Sequence, residues 1–298
     1  MSYVLLEDGT RFDGEEVGAP GPVTGEVVFN TAMSGYQESM TDPSYARQLI
    51  TFTYPHIGNY GVSAAAMESD RIHARAAIMR DARNYTDSSE AEGGWLDWLR
   101  EACVPAISGV DTRALVRHIR ERGAMRGGVF PEGFDLGEAA AQIAAEAQMA
   151  GLDLVREVSP AEPVELAGTD GSPDGPRIAL VDTGVKASIV ANLRVRGAQL
   201  VLHPAGVSAS AILAGRPDAV MLANGPGGER ALEGSDPVRW ETDFGTAQLT
   251  HLNLYDRTVE GLRLRDARAR TVQYHPEAGP GPHDALHLFD QFIAEIAR

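Results

Sequence analysis

The sequence predicts an α/β protein with a β-rich first part and a doubly wound parallel sheet in its last part. From Arg177 onwards, apolar strands alternate with helices, as in "RIALVDTG", "VKASIVANLRVRG" and "AQLVLHP", which is typical of a parallel sheet. Before that, apolar runs are separated by turn residues. A stretch dense in Pro, Gly, Ser and acid, Ser159–Pro176, lies between the two patterns. We therefore predict a first domain at residues 1–156, a linker at 157–176 and a second domain at 177–298.

The first domain is predicted to begin with a hairpin, because Asp8-Gly9 separates two apolar runs. Residues 33–45, "MSGYQESMTDPSY", contain several breakers and are predicted to form a loop. Further extended segments are predicted at 25–32, 47–54 and 71–82. Helices are predicted at 111–123, where Asp111 can cap the first turn and Gly123 can end the last, and at 136–151.

In the second domain, one predicted strand ends at Asp182 and another at Asn224. The turns at these strand ends, Asp182–Gly184 and Asn224–Gly227, are expected to lie together at the carboxyl edge of the sheet. Such edges bind ligands in doubly wound sheets. Further strands are predicted in 245–255, 259–264 and 269–277, and a closing helix at 284–297. No strand–turn–helix unit follows "NGPGG" (224–228), where the sheet should have its central strand.

Composition excludes several classes of protein. The chain of 298 residues is 43% hydrophobic and 23% charged, as expected for globular domains, and it has no long apolar run. The net charge of −16 disfavours nucleic-acid binding. The first residues lack the features of a signal peptide, and a single cysteine cannot form an internal disulfide. We therefore expect a cytoplasmic protein.

His275 and Glu277 stand at the end of a predicted strand and resemble the base and orienting carboxylate of a nucleophilic triad. A histidine at a strand end is more often structural, but the neighbouring carboxylate and the glycine-proline turn favour catalysis. The chain offers no obvious nucleophile for this pair. Its one cysteine, Cys103, is in the other domain and is expected to be a small buried hydrophobic residue.

Five segments resemble one known family, in the same order along almost the whole chain. They are "NTAMSGYQESMTDPSYARQLITFTYPHIGNYG" (30–61), "SGVDTRALVRHIRERGAMRGGV" (108–129), "VDTGVKASIVANLRVRGAQLV" (181–201), "NGPGG" and "VQYHPEAGPGPHDALHLFDQF" (272–292). They are similar to the small, glutamine-hydrolysing subunits of carbamoyl phosphate synthases. These have an N-terminal domain peculiar to the small subunit, followed by a class I glutamine amidotransferase domain.

The resemblance implies that His275 is the general base, that Glu277 orients it, and that Ser44, Gly225 and Gly227 help to hold glutamine. It implies a heteromer, in which ammonia passes to a large synthetase subunit that makes carbamoyl phosphate for arginine and pyrimidine biosynthesis. ATP and Mg²⁺ are expected on that large subunit, and no metal or organic cofactor in this chain.

The chain departs from the family in one respect. The family carries its nucleophilic cysteine on a strand-to-helix elbow after the "NGPG" turn, and this sequence passes directly from "ANGPGGER" to "ALEGSDPVRWETDFG", with the junction near Arg230 and Ala231. The nucleophile is therefore unknown. Either the natural protein carries a further segment, which the unpaired strand edges would favour, or the chain is an inactive docking subunit. A class I amidotransferase of nucleotide or tryptophan synthesis is disfavoured, because those relatives lack the N-terminal domain.

Overall fold

A computed structural model describes residues 1–86, 88–169, 174–226, 239–254, 258–279, 281 and 283–296. The strands of the first part are β1 Ser2–Leu6, β2 Arg11–Glu16, β3 Val23–Asn30, β4 Gln48–Phe52, β5 His56–Ile57, β6 Ala76–Ile78, β7 Asp81–Ala82, β8 Ala106–Ser108 and β9 Met125–Phe130. A closed barrel has the order β1-β2-β8-β6-β4-β3-β9, and β5 pairs with β7. The predicted β-rich first part is confirmed, including the hairpin at Asp8-Gly9 between β1 and β2.

The helices of the first part are α1 Tyr36–Thr41, α2 Trp95–Glu101, α3 Thr112–Arg122 and α4 Leu136–Ala145. Helix α3 confirms its predicted boundaries, because the Asp111 side chain accepts a hydrogen bond from the backbone N–H of Ala114 at 3.0 Å and Gly123 ends the helix with φ 94°. Helix α4 is shorter than predicted and ends at Ala145.

Helix α1 corrects the prediction of a loop over residues 33–45. The helix has only six residues, and local propensity does not stabilise so short a segment. Tertiary contacts hold it instead: the Tyr36 hydroxyl donates to the carbonyl of Gly61 at 2.6 Å, and the Tyr36 ring stacks on Tyr60 and meets Trp95 edge-on. These contacts join α1 to the cluster of buried side chains on one outer face of the barrel.

The second part is a four-stranded sheet in the order β10-β12-β11-β13, in which β11 pairs in parallel with β12 and β13. The elements between the end of α4 and residue 222 are α5 Val155–Val158, β10 Val164–Leu166, β11 Arg177–Asp182, α6 Ala187–Arg194, β12 Gln199–Pro204, α7 Ala209–Ala214 and β13 Ala219–Leu222. Side chains of α6 pack on one face of the sheet and Ile212 of α7 packs on the other. The predicted doubly wound parallel sheet is confirmed.

The segment predicted as a linker contains regular structure. Strand β10, at residues 164–166, pairs antiparallel with β12 and so forms an edge of the second sheet. Part of the predicted linker, residues 164–166, therefore belongs to the second sheet. The domain boundaries at 157 and 176 stay a prediction.

The remaining elements are β14 Arg239–Thr242, β15 Gly245–Leu252, β16 Val259–Leu264, β17 Ala269–Val272 and α8 His287–Ile296. The strands form a separate antiparallel sheet, β14-β15-β16-β17, while Phe289 of α8 packs against the parallel sheet beside α6. Among the described residues, β13 pairs on one side only, with β11. Val220 and Leu222 of this strand are 45% and 75% exposed. A strand inside a parallel sheet is normally covered on both faces, so β13 lies at an open edge.

Within the described part of the chain, no helix combines the length and the apolar character that a membrane span requires.

Candidate active site

The structure brings His275 and Glu277 into direct contact. Both residues follow β17, and Ala278 turns the backbone with φ 48°. Nδ1 of His275 lies 2.8 Å from Oε1 of Glu277. The imidazole is about half exposed, at 48%, while the Glu277 side chain is fully buried. The pair therefore has the geometry in which a buried carboxylate holds a histidine ring in one orientation and leaves its other nitrogen accessible.

Lys186 is part of this site and was not predicted from the sequence. It precedes α6, and its Nζ lies 3.0 Å from Oε1 of Glu277 and 3.9 Å from Oε1 of Glu68. Nζ also donates to the carbonyl of Gly279. The signal available in the sequence was that Lys186 is the only lysine in the chain and stands two residues after the Asp182–Gly184 turn at the carboxyl edge.

Glu68 fixes the start of α6 to the first domain. Its Oε2 accepts a hydrogen bond from the backbone N–H of Ser188 at 2.9 Å, and its carbonyl accepts one from Ala187 at 2.8 Å. Lys186, Glu68 and Glu277 are each less than 4% exposed. A buried ammonium between two buried carboxylates thus joins the barrel, α6 and the turn after β17.

The protonation states of the pair follow from these contacts. Burial by itself raises the pKa of Glu277, but the hydrogen bond from His275 and the Lys186 ammonium outweigh burial and lower that pKa to about 2. The same hydrogen bond raises the pKa of His275, against the effect of burial. The Asp42 carboxylate contributes in the same direction. Glu277 is therefore ionised at neutral pH and favours the protonated form of His275.

A second cluster of predicted site residues lies where β11 and β13 end. The side-chain amide of Asn224 donates to Oγ of Ser44 at 3.2 Å, which joins the first domain to the turn after β13. The Thr183 hydroxyl donates to the carbonyls of Ala223 and Asn224 at 2.9 and 2.8 Å. The two turns therefore meet at one edge, as predicted.

The backbone at position 225 leaves room only for a glycine. A Cβ atom on Gly225 would lie 1.9 Å from the carbonyl oxygen of Thr183, which no real side chain tolerates. Gly184, with φ 117°, is likewise close to Pro43 and Pro226. Gly227 and the junction at Arg230 and Ala231 lie outside the described residues.

A cavity of about 810 Å³ lies between the two parts of the chain. Its lining includes Glu38, Glu68, Ser188, Glu277 and His283. Burial raises the pKa of both Glu38 and Glu68. Oε2 of Glu38 and Oε2 of Glu277 have no hydrogen-bond partner among the described residues. Glu277 thus contacts His275 with one oxygen and also borders this cavity, into which several carboxylates face.

Cys103 is exposed, which corrects the expectation that it is buried. It follows α2 with φ 57°, a left-handed conformation in which the chain turns before Val104 enters the core. Within the described residues, its thiol makes no hydrogen bond with a histidine or carboxylate side chain.

Comparison with known proteins identifies the family. Residues 4–129 match the carbamoyl-phosphate synthase small chain, CPSase domain, and residues 235–295 match class-I glutamine amidotransferases. The chain is 36% identical to the carbamoyl phosphate synthase small chain of Nostoc sp. over 99% of this chain and 95% of the relative. The same identity is found with that of Chlorobaculum tepidum over 100% of this chain and 98% of the relative. The chain belongs to the carbamoyl phosphate synthase small-chain family. The resemblance seen in the sequence is confirmed.

The alignments also show that the relatives contain residues that this chain lacks. The alignment with the Nostoc protein runs over 368 positions although this chain has 298 residues, so the relative contains residues that have no counterpart here. Ser44 lies within the first matched region, and His275 and Glu277 lie within the second. A solved aminopeptidase from Aneurinibacillus sp. matches with a TM-score of 0.29 and 13% identity, over 74% of this chain and 56% of that chain, and supports no argument.

Proposed function

We propose that this chain is the glutaminase subunit of a carbamoyl phosphate synthase, which hydrolyses glutamine to glutamate and ammonia. The observation that carries the proposal is the contact of 2.8 Å between His275 and Glu277. A half-exposed imidazole held by a buried, ionised carboxylate is suited to proton transfer in amide cleavage. Membership of the small-chain family gives this pair its substrate class.

In the proposed reaction, a thiol loses its proton to His275 and the resulting thiolate attacks the carboxamide carbon of glutamine. The protonated imidazole then gives its proton to the leaving nitrogen, so the carbon–nitrogen bond breaks and ammonia departs. Water subsequently cleaves the thioester and releases glutamate. Glu277 acts by orienting His275 and by stabilising its protonated form. The second effect corresponds to the raised pKa of His275, since the hydrogen bond with Glu277 is its main cause.

The thiol is proposed to come from the segment that the relatives contain and this sequence lacks. Two features support a position between Pro226 and Arg239. The chain there follows the turn at the carboxyl edge. Among the residues that the structure describes, β13 pairs on one side only, and Val220 and Leu222 are exposed. A further parallel strand beside β13 would satisfy its backbone groups and cover these side chains.

Ser44, Gly225 and Gly227 are proposed to hold the glutamine substrate. The contact between Ser44 and Asn224 supports this assignment, because it places a hydroxyl from the first domain at the turn that contains Gly225. Backbone N–H groups of a glycine turn can approach a substrate or an oxyanion closely, since no side chain intervenes.

We further propose that this chain works in a heteromer with a large synthetase subunit, which receives the ammonia and contains the ATP and Mg²⁺ sites. The word "small chain" in the names of the relatives supports a partner of this kind. No metal or organic cofactor is proposed for this chain, since acid–base and thiol chemistry require none.

The first test is the intact mass of the protein isolated from its source, together with its glutaminase activity. We expect a mass above the 31.8 kDa of the present sequence and production of glutamate from glutamine. The matched control is His275→Asn, which should keep the fold and lose the activity. A mass of 31.8 kDa with no glutamate production would overturn the glutaminase proposal and leave a docking subunit.

A further inference from the structure

Ser44 lies in a short loop of the first domain that reaches the glycine turn of the second domain. Its Oγ accepts a hydrogen bond from the side-chain amide of Asn224 at 3.2 Å. The oxygen of the same side chain, Oδ1 of Asn224, is buried and has no hydrogen-bond partner among the described residues. A hydroxyl and a free acceptor thus lie side by side, and buried polar atoms of this kind normally have a partner. Binding of a polar substrate group here depends on where the loop holds Ser44.

Asp42 holds the backbone of Ser44 directly. Its Oδ1 accepts a hydrogen bond from the backbone N–H of Ser44 at 2.8 Å. The carbonyl of Asp42 accepts a second bond, from the N–H of Tyr45 at 3.0 Å, and its own N–H donates to the carbonyl of Glu38 in α1 at 2.9 Å. Asp42 therefore ends α1 and begins the single 3-10 turn Pro43–Tyr45, which has Ser44 at its centre.

The carboxylate of Asp42 makes one side-chain hydrogen bond in the part of the chain that the structure describes. The residue is 7% exposed, and its side chain forms no ion pair and no hydrogen bond other than the one with Ser44. Burial of a carboxylate is unfavourable unless a hydrogen bond or an opposite charge compensates for the lost solvation. The bond to the Ser44 backbone, and not an ion pair, therefore accounts for an aspartate at this position.

The other contacts of the loop hold the residues on either side of Ser44. Pro43 packs against Gly184 of the second domain, where an added Cβ would lie 3.2 Å from Cβ of Pro43. The Tyr45 hydroxyl accepts a hydrogen bond from the side-chain amide of Asn30 at 3.1 Å. Both neighbours are thus anchored through their side chains, whereas the N–H of Ser44 depends on the aspartate carboxylate.

We propose that Asp42 is a positioning residue of the glutamine site, which holds Ser44 in the orientation that binds glutamine. The inference rests on the proposed glutaminase function and adds a residue that acts through Ser44. Without the carboxylate, the Ser44 N–H loses its partner and the turn relaxes, so that the hydroxyl leaves its place beside Asn224. The effect should fall on glutamine binding and not on the chemistry at His275.

The test is the steady-state kinetics of glutamate production by the full natural chain, with kcat and KM for glutamine measured separately. For Asp42→Ala we expect KM to rise about tenfold, as for the loss of one hydrogen bond to the substrate, and kcat to stay within about twofold of the wild type. For Asp42→Asn, whose side-chain oxygen can accept the same bond, KM should stay within about threefold of the wild type. A purely structural role of Asp42 would instead lower kcat through loss of folded enzyme and leave KM unchanged.

A double-mutant cycle with Ser44→Ala shows whether Asp42 acts through Ser44. Ser44→Ala alone should also raise KM about tenfold. Addition of Asp42→Ala should raise KM no further, because residues that act as one unit do not have additive effects. A rise of about a hundredfold in the double variant, the product of two independent effects, would overturn the inference.

The matched control is Asp135→Ala. Asp135 caps α4 in a similar way, since its carboxylate accepts the backbone N–H of Glu138 at 2.9 Å, and it contributes no residue to the site. KM should be unchanged in this variant. If thermal unfolding shows that Asp42→Ala does not fold, Asp42→Gly replaces it, because glycine is tolerated at caps, and the same rise in KM is expected.

An unchanged KM in the folded Asp42→Ala variant, or an equal rise in the control, would overturn the inference and leave the proposed function intact. A KM for Asp42→Asn as high as that for Asp42→Ala would overturn it as well, since the acceptor would then not be what matters. Absence of glutamate production by the wild type would overturn the proposed function, and the inference with it.

Discussion

Replacing Lys186 with methionine is expected to destabilise the fold by about 3–5 kcal/mol near neutral pH. The side chain is 2% exposed and lies 3.0 Å from Glu277 and 3.9 Å from Glu68. Methionine preserves most of the packing of the lysine stem, so the loss comes from leaving two buried carboxylates without their cation. Removal of one partner of a buried ion pair typically has a cost of this size.

The destabilisation should depend on pH in a defined direction. In the wild type the pKa of Glu277 is lowered to about 2, so its stabilising contribution is present above the pKa of an unfolded glutamate and is lost only as the pH falls towards 2. Without Lys186 that depression weakens, and Glu68, whose pKa is already raised by burial, accepts a proton more readily. The difference in unfolding free energy between wild type and variant should therefore narrow from about pH 7 to about pH 5.

The assay is urea unfolding of both proteins over this pH range. The matched control is the double variant Lys186→Met with Glu68→Gln, which removes one unpaired carboxylate and should recover part of the lost stability. A loss below about 1 kcal/mol for Lys186→Met, the size expected of a surface ion pair, would refute the reasoning. A loss that is equal at both ends of the pH range would show that packing, and not charge, is responsible.

Three further predictions concern the site and the fold. Glu277→Gln should lower the pKa of His275. The acid limb of the pH profile of glutamine hydrolysis should therefore move to lower pH, and the maximal rate should fall. If the acid limb of kcat/KM against pH does not move, the proposed pairing of His275 with Glu277 is contradicted. Gly225→Ala should raise KM for glutamine, because the Cβ of the alanine would lie 1.9 Å from the Thr183 carbonyl oxygen and the turn must shift. An unchanged KM would argue against a role of this turn in glutamine binding. Asp111→Ala should lower the free energy of unfolding by about 1 kcal/mol, because α3 loses its N-terminal cap. Urea unfolding measures this loss, and a loss well below about 1 kcal/mol would show that the cap is unimportant.

Some features could be predicted from the sequence because they arise from neighbouring residues. The cap and end of α3 are encoded within Asp111–Gly123, and the structure reproduces them. The alternation of strands and helices after Arg177 gave the parallel sheet and the edge where the Asp182 and Asn224 turns meet. His275 and Glu277 are two positions apart, and their contact follows from the turn between them.

Other features could not be predicted because they depend on contacts between distant residues. Helix α1 was predicted as a loop, and its stability comes from Tyr36 packing against Tyr60 and Trp95. Strand β10 lies in a segment that reads as a linker and is ordered by pairing with β12. In both cases the local sequence is dominated by turn-forming or polar residues, and tertiary contacts override it.

The sequence by itself determined the family, the two kinds of architecture and the candidate pair His275 and Glu277, because these are contained in contiguous motifs and local periodicity. It also showed that the turn after Asn224 is not followed by the expected strand–turn–helix unit. Only the tertiary structure decided that Lys186 lies between Glu68 and Glu277, that Ser44 reaches Asn224, and that β13 pairs on one side only within the described part of the chain. Glu68 meets Lys186 and Ser44 meets Asn224 because the two domains pack against each other, and Lys186 meets Glu277 because the second domain brings the start of α6 to the turn after β17. No local pattern in the chain specifies these approaches.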